Sequence, residues 1–426
     1  MRNFTADASA ALGGPGWLAD RRSGAIERLA SIAVPSADDE VWRYSPIGKL
    51  DLDAFAPARD TPVGDDAAAL VAEFGGGAVA IVRNGRVVSI ERGGLPESVT
   101  LAAAAAGDVR AGLGEIVKGD DYFVVLNDAF VSDAVVLEVP PRVAVEQPVL
   151  IVHWCDATKE DEAAPTSFPR TVVRVGEGAQ AAVIEVIAGP AGRSLVVPVG
   201  EMSVGDRGHL AYVMVQDLGW DAWHLARLGA TVGRDATLRS FTAGLGGDYD
   251  RCRVDAAALG DGGSTQLTTV YLGSGDQVHD IRTLQDHVAP RTTSDLLCKG
   301  AVAERSQSIY TGLIRVRNGA AKSDAMQTNH NLVLDPTAHA DSVPNLDIEE
   351  NDVRCSHASS VGPVSEDQRY YLESRGLSPA RAERLIVLGF FDDIVERAPV
   401  AAAIGPLRQR IGQRLGALLG RGGADG

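Results

Sequence analysis

The spacing of hydrophobic positions changes character twice along this 426-residue chain. Over residues 1 to about 120, helix and strand signals are mixed. "GAIERLASIA" puts Ile26, Leu29 and Ile32 on one side of a predicted helix. "AVAIVRNGRVVSI" sets two β-branched runs around Asn84-Gly85, which predicts a hairpin. "SVTLAAAAAGDVRAGLGEIV" predicts a return to helix, and "DDEVWRYSPIGKLDL" places Trp42 and Tyr44 beside a proline turn. From about 121 onward, short apolar runs such as "YFVVLN", "AVVLEV", "VLIVHW" and "TVVRV" alternate with Gly/Asp turns. After Val361 the helical period comes back. Ser365 with Gln368 forms a capping box for "EDQRYYLESRG", which ends at Gly376. Ser378-Pro379 then opens a second helix, with Leu385, Leu388, Phe391, Ile394 and Val395 on one broad stripe. A last helix carries Leu407, Ile411, Leu415 and Leu418 on its apolar face, though its glycines leave it marginal.

The middle of the chain repeats. "VGEGAQAAVIEV" starts at Val175, "VGDRGHLAYVMV" at Val204, "VGRDATLRSFTA" at Val232 and "LGDGGSTQLTTV" at Leu259, so the period is 29, 28 and 27 residues. Each copy reads as strand, glycine-containing turn, strand. One such unit cannot bury its apolar face alone, so successive copies must stack. This predicts a parallel β-helix; an antiparallel sandwich is the weaker reading, because four copies share both period and motif. The expected organisation is a mixed N-terminal region over 1–120, a β-helix core over 121–361 and a helical region over 362–426.

Composition narrows the possibilities. Aromatics are only 5%, while 47 glycines suit closely stacked strands and many turns. The net charge of −17 opposes binding to nucleic acid or to an anionic membrane surface. "MRNFTADASAALGGPGWLAD" lacks the apolar stretch of a signal peptide, and no run has the length of a spanning helix. Cys155, Cys252, Cys298 and Cys355 are scattered with no CxxC pair, as expected in a reducing cytoplasm.

Candidate chemistry is sparse. In "NDVRCSHASSVGPV", Cys355 and His357 lie two apart at the end of a strand-forming run, and strand geometry would point both to one face. A thiol and an imidazole are half of a usual metal-ligand set. Arg354, Ser356 and His357 make the surroundings of Cys355 polar and suited to a thiolate. The other three cysteines read as buried small hydrophobes. His279, His287, His330 and His339 read as hydrogen-bonded structural residues, and His209 and His224 as surface or rim residues. A carbohydrate-active β-helix would need clustered carboxylates. Asp248 with Asp250, or Asp276 with Asp280, are candidates, but turn chemistry accounts for them. GxSxG, P-loop and HExxH patterns are missing, and "GEG" and "GDGG" read as solenoid corners.

The run from His279 to Gly376 resembles the SufB/SufD family of iron–sulfur cluster assembly proteins, and within it the SufD branch. The landmarks are His279, Thr283, His287 and Pro290, then Gly300, Gly312 and Asp324, then Gln327-Thr328-Asn329, Asn331-Leu332, Pro344, Asp352-Val353, Cys355-Ser356-His357 and Val361-Gly362. "DDEVWRYSPI" is similar to the family's N-terminal tryptophan motif. The resemblance implies a right-handed parallel β-helix with helical ends, acting as a non-catalytic scaffold rather than an enzyme. It implies pairing with a SufB-like protein through the β-helix ends, and a SufC-type ABC ATPase on the C-terminal helices. A transient iron–sulfur cluster would sit at the partner interface, with a histidine that maps onto His357 beside Cys355; clusters accept imidazole as well as thiolate. For the isolated chain the sequence leaves both a monomer and a homodimer open. A SufB-like paralogue is the nearest alternative, but an acidic residue beside the histidine is usual there and Ser356 fills the gap here. Ala358 also departs from the glycine common after the histidine.

Overall fold

The computed structural model describes residues 2–59, 61, 66–106, 112–119, 121–159 and 163–421. The 27–29-residue period is one turn of a parallel β-solenoid. Two sheets face each other across a narrow interior. The first runs through His339–Ile348, Gln307–Val316, Val278–His287, Tyr249–Ala258, Ala222–Val232, Val199–Val204, Arg170–Val175, Val135–Val139 and Thr100–Ala103. The second runs through Arg354–Gly362, Asp324–Val333, Thr293–Val302, Ser264–Gly273, Thr237–Gly244, His209–Asp217, Gln180–Ala188, Val149–Trp154, Ala78–Arg83 and Arg86–Glu91. Neighbours within each of these two runs are parallel, except the hairpin Ala78–Arg83 with Arg86–Glu91 and the pair Thr100–Ala103 with Val135–Val139.

The repeated motif is the corner between the sheets. Val175, Val204, Val232, Ala258, His287, Val316 and Ile348 are in register, one per turn. The corner that follows carries one left-handed residue per turn: Gly178, Arg207, Asp235, Gly262, Arg291 and Lys322, with φ between 53° and 72°. Glycine takes that conformation without strain, and local hydrogen bonds hold the others. At Asp235 the backbone N donates to Asp261 O at 2.9 Å. The glycine-rich pieces are therefore corners.

Both outer faces are covered. The helix Gly16–Leu29, the Trp42 turn and the helix Tyr122–Phe130 bury Phe4, Trp42, Phe123 and Phe130 against Trp223, Leu225, Tyr249 and Ile309 of the first sheet. Buried charges tie this layer down: Arg170 donates to Asp128 at 3.1 Å and to Glu201 at 2.6 Å. On the second sheet, Phe74 of the helix Asp66–Phe74, Val387, Phe391 and Ile394 of Pro379–Val395, and Leu407, Ile411 and Leu415 of Ala401–Arg421 pack over Phe241, Leu272 and Leu297.

Several expectations need correction. "YFVVLN" is the start of a helix, because Asp121 caps it by accepting from Phe123 N at 2.8 Å, and its burial on all sides hides the helical period. The predicted helix near residue 100 is the strand Thr100–Ala103 and a short 3-10 turn, held by pairing with Val135–Val139; 107–111 lie outside the described residues. Leu385 is not on the buried stripe of its helix: it is 46% exposed, while Val387 is fully buried. The last helix runs 21 residues despite its glycines, because Leu407, Ile411 and Leu415 pack on the solenoid and Arg410 pairs with Glu73 and Asp217.

Candidate functional site

The two faces are covered but the C-terminal end is not. Most residues of the final strands His339–Ile348 and Arg354–Gly362 are exposed, and each strand pairs on one edge only. Alternation along a strand decides which side chains face the interior. Ala325, Gln327, Asn329 and Asn331 face inward on the penultimate strand, so their register partners Cys355, His357, Ser359 and Val361 form the terminal inward row. Opposite, Ser342, Pro344, Leu346 and Ile348 continue the row of Tyr310, Gly312, Ile314 and Val316. Ser359 Oγ donates to Ser342 Oγ at 2.7 Å, joining the two sheets across the mouth of the solenoid. Val361, Ile348 and Leu346 are 46%, 42% and 38% exposed. Cys355 and His357 thus share a face, as their spacing predicts, at an end on which no described strand is stacked.

Their environments differ. His357 is exposed, whereas Cys355 packs against Ile314, Val316 and Ala325. Burial, with the Asp324 carboxylate, pushes the Cys355 thiol up, so the expected thiolate-favouring setting is not found. Among the described residues no group of three or more His, Cys, Asp or Glu is placed to hold a metal ion. Two ligands at an open edge are a partial set that needs completion from outside.

Inward of this end the interior turns polar, a feature the alternating pattern does not announce. His224 is fully buried there rather than at the rim: its Nδ1 lies 2.8 Å from Asp250 Oδ1, and His279 Nδ1 lies 3.1 Å from Asp250 Oδ2. Burial alone would raise the Asp250 carboxyl, but the hydrogen bonds from His224 and His279 outweigh it and hold it well below the usual range. His287 is buried with its ring nitrogens on Thr292 Oγ1 at 2.7 Å and Ser294 Oγ at 2.8 Å, and burial lowers it to about 4. His279 and His287 therefore do share a face, eight residues apart in one strand. His330 meets Ser360 Oγ at 2.6 Å and His339 meets Asp341 at 3.1 Å, the structural roles expected of them. His209 is exposed. Cys155 and Cys298 are buried thiols pushed up to about 12, and Cys252 is raised further, all by burial.

The carboxylates singled out in the sequence are each engaged elsewhere. Asp280 bonds Tyr249, Arg251 and Arg282 on the outer face, Asp276 bonds exposed Arg305, and Asp248 accepts from Trp223 Nε1 at 3.2 Å. Each is taken by a cation or a donor. A separate groove of about 890 Å³ lies between the C-terminal helices and the second sheet, lined by Lys299, Tyr371, Leu385 and Phe390 among others. No helix among the described residues is long and apolar enough to cross a membrane.

Residues 157–390 match the family model described as SUF system FeS cluster assembly, SufBD core domain. An iron–sulfur cluster assembly SufBD family protein of Mycobacterium bovis is 31% identical over 386 residues, covering 89% of this chain and 87% of the relative. The iron–sulfur cluster assembly protein SufD of Escherichia coli is 26% identical over 399 residues, covering 92% and 91%, and SufD of Bacillus subtilis is 27% identical over 421 residues, covering 91% of each. With its solenoid, its open end and a family match over more than half its length, this chain belongs to the SufB/SufD family of iron–sulfur cluster assembly proteins, close to SufD.

Proposed function

We propose that this chain is a SufD-type, non-catalytic scaffold subunit that pairs end to end with a SufB-type partner in the cytoplasm. The observation that carries the reading is the open end: two edge strands with unpaired backbone groups, bearing His357 and Cys355 in the inward row. An uncapped solenoid end is a template for another strand pair. Joining it to a partner would satisfy the backbone, cover Leu346, Ile348 and Val361, and bring further ligands to the same mouth. A transient iron–sulfur cluster, carried as cargo, would be held there by His357 first and Cys355 second. Imidazole is available at the surface, while the thiol is partly packed and disfavoured as thiolate. Without SufB, a second copy would take the same edge as a homodimer.

In this reading residues 1–120 flank both sheets of the solenoid, 121–361 form the scaffold and 362–426 serve a SufC-type ABC ATPase. The helix Glu366–Ser374 buries none of its residues, and its Tyr371, 58% exposed, lines the groove together with Leu385 and Phe390. Exposed aromatics rimming an apolar groove suit a protein partner. Co-purification from native cells should recover a SufB-type and a SufC-type protein. In the reconstituted complex His357→Ala should fold normally and assemble clusters more slowly, with Cys355→Ser less affected. Assembly at the wild-type rate in H357A would refute the ligand assignment.

A further inference from the structure

Directly behind His357 stands an amide with nothing to bond. Gln327 is the register partner of His357, so the two residues are neighbours in one inward row, on adjacent strands ~4.8 Å apart. Gln327 is wholly buried, and neither its Nε2 nor its Oε1 has a hydrogen-bond partner among the described residues. Its neighbours on the strand are satisfied: Asn329 Nδ2 donates to Cys298 O at 3.4 Å, and Asn331 Nδ2 to Asn329 Oδ1 at 2.7 Å. Space for the amide comes from Gly312 across the interior, where an added Cβ would lie 2.6 Å from Gln327 Nε2 and would collide with the Tyr310 hydroxyl. A buried polar group left unpaired costs stability, so packing alone does not account for this glutamine. Methionine would fill the same space without that cost.

We propose that Gln327 is a positioning residue for His357, its amide oxygen accepting the imidazole N–H that remains when the other ring nitrogen binds iron. The proposal rests on the reading of the open end as the cluster site. A metal-bound imidazole keeps one N–H, and an oxygen acceptor on that proton fixes the tautomer and the ring plane. The His357 ring makes no hydrogen bond to a described residue. Ser359, the next polar side chain in the row, is already joined to Ser342. The unused amide of Gln327 is the acceptor within reach, by rotation of its own side chain away from Gly312.

The test uses the full chain in complex with a SufB-type partner, histidines labelled with nitrogen-15, and zinc ion as a diamagnetic probe. H357A identifies the ring signal. Wild type should show one His357 tautomer on zinc binding. Gln327→Met should show mixed tautomers and bind zinc about 10–100-fold more weakly, with a melting temperature unchanged or raised. Gln327→Glu, which keeps the acceptor, should restore the single tautomer. A single tautomer and undiminished affinity in Q327M would overturn the proposal. So would a lowered melting temperature with the tautomer unchanged, since that is the mark of a structural glutamine. If H357A itself binds zinc as tightly as wild type, the open-end site fails as a whole, which is a different result from the failure of Gln327 alone.

Discussion

Asp250 and His287 show how much a single buried group can decide. Asp250 is 1% exposed and bridges two imidazoles, so Asp250→Ala strands both rings in the interior. Removing one member of a buried charged cluster costs about 3–5 kcal/mol, and the denaturation midpoint of D250A should fall accordingly. His287 ties stability to pH. Its folded pKa of about 4 lies below the unfolded value of ~6.5, so the unfolded chain takes up the proton first as pH falls. This contribution is fully present above ~6.5 and is lost as pH drops through about 4, at no more than ~1.4 kcal/mol per pH unit. Depressed Asp250 acts in the same direction at lower pH. His287→Gln should flatten the pH dependence of the melting temperature between pH 6.5 and 4. An unchanged slope would show that His287 is not the titrating group.

At the scale of elements, the helix Pro379–Val395 has two faces with different tasks. Phe391 and Val387 are buried on the second sheet, so Phe391→Ala should cost about 3–5 kcal/mol through the cavity it leaves. Leu385 and Tyr371 face the groove and solvent, so Leu385→Asp should change stability by no more than ~0.5 kcal/mol. The same substitution should abolish capture of a SufC-type ATPase if the groove is its dock; retained binding would move the dock elsewhere. The sequence shows this helix clearly and puts Phe391, Ile394 and Val395 on its buried stripe correctly, but it adds Leu385 to that stripe wrongly. The apolar positions of this helix spread from Leu385 round to Val387, so periodicity alone does not say which edge of the stripe meets the solenoid. The helix Tyr122–Phe130 is missed for the related reason that a fully buried element has no polar face to set its period.

At the scale of the whole molecule, the solenoid has covered faces and, among the described residues, an exposed C-terminal end. Ile348→Asp together with Val361→Asp would place charge on that end at side chains already 42% and 46% exposed. Sedimentation should then show weaker self-association or weaker SufB binding at an unchanged melting temperature. A strict monomer in wild type, together with no SufB association, would remove the end-to-end arrangement. The net charge of −17 should make self-association stronger at moderate salt than at very low salt, because two copies of one acidic chain repel until screened.

The sequence alone determines the solenoid, because stacking repeats its demands: a turn residue and an apolar strand must recur at the period of the coil, and four copies do so from Val175 to Leu259. It also determines that Cys355 and His357 share a face, since alternation is local to one strand. Tertiary structure decides what each face looks at. Whether His224 lies at the rim or between two sheets depends on the strand stacked beside it, and whether Cys355 is a free thiol depends on Ile314 and Val316 across the interior. Gln327 stands in the sequence only as one residue of a QTN landmark; that its amide is sealed behind His357 with no partner follows from the register of two strands thirty residues apart. Period and alternation are properties of a segment, whereas burial and hydrogen-bond satisfaction belong to the neighbours that folding brings to it.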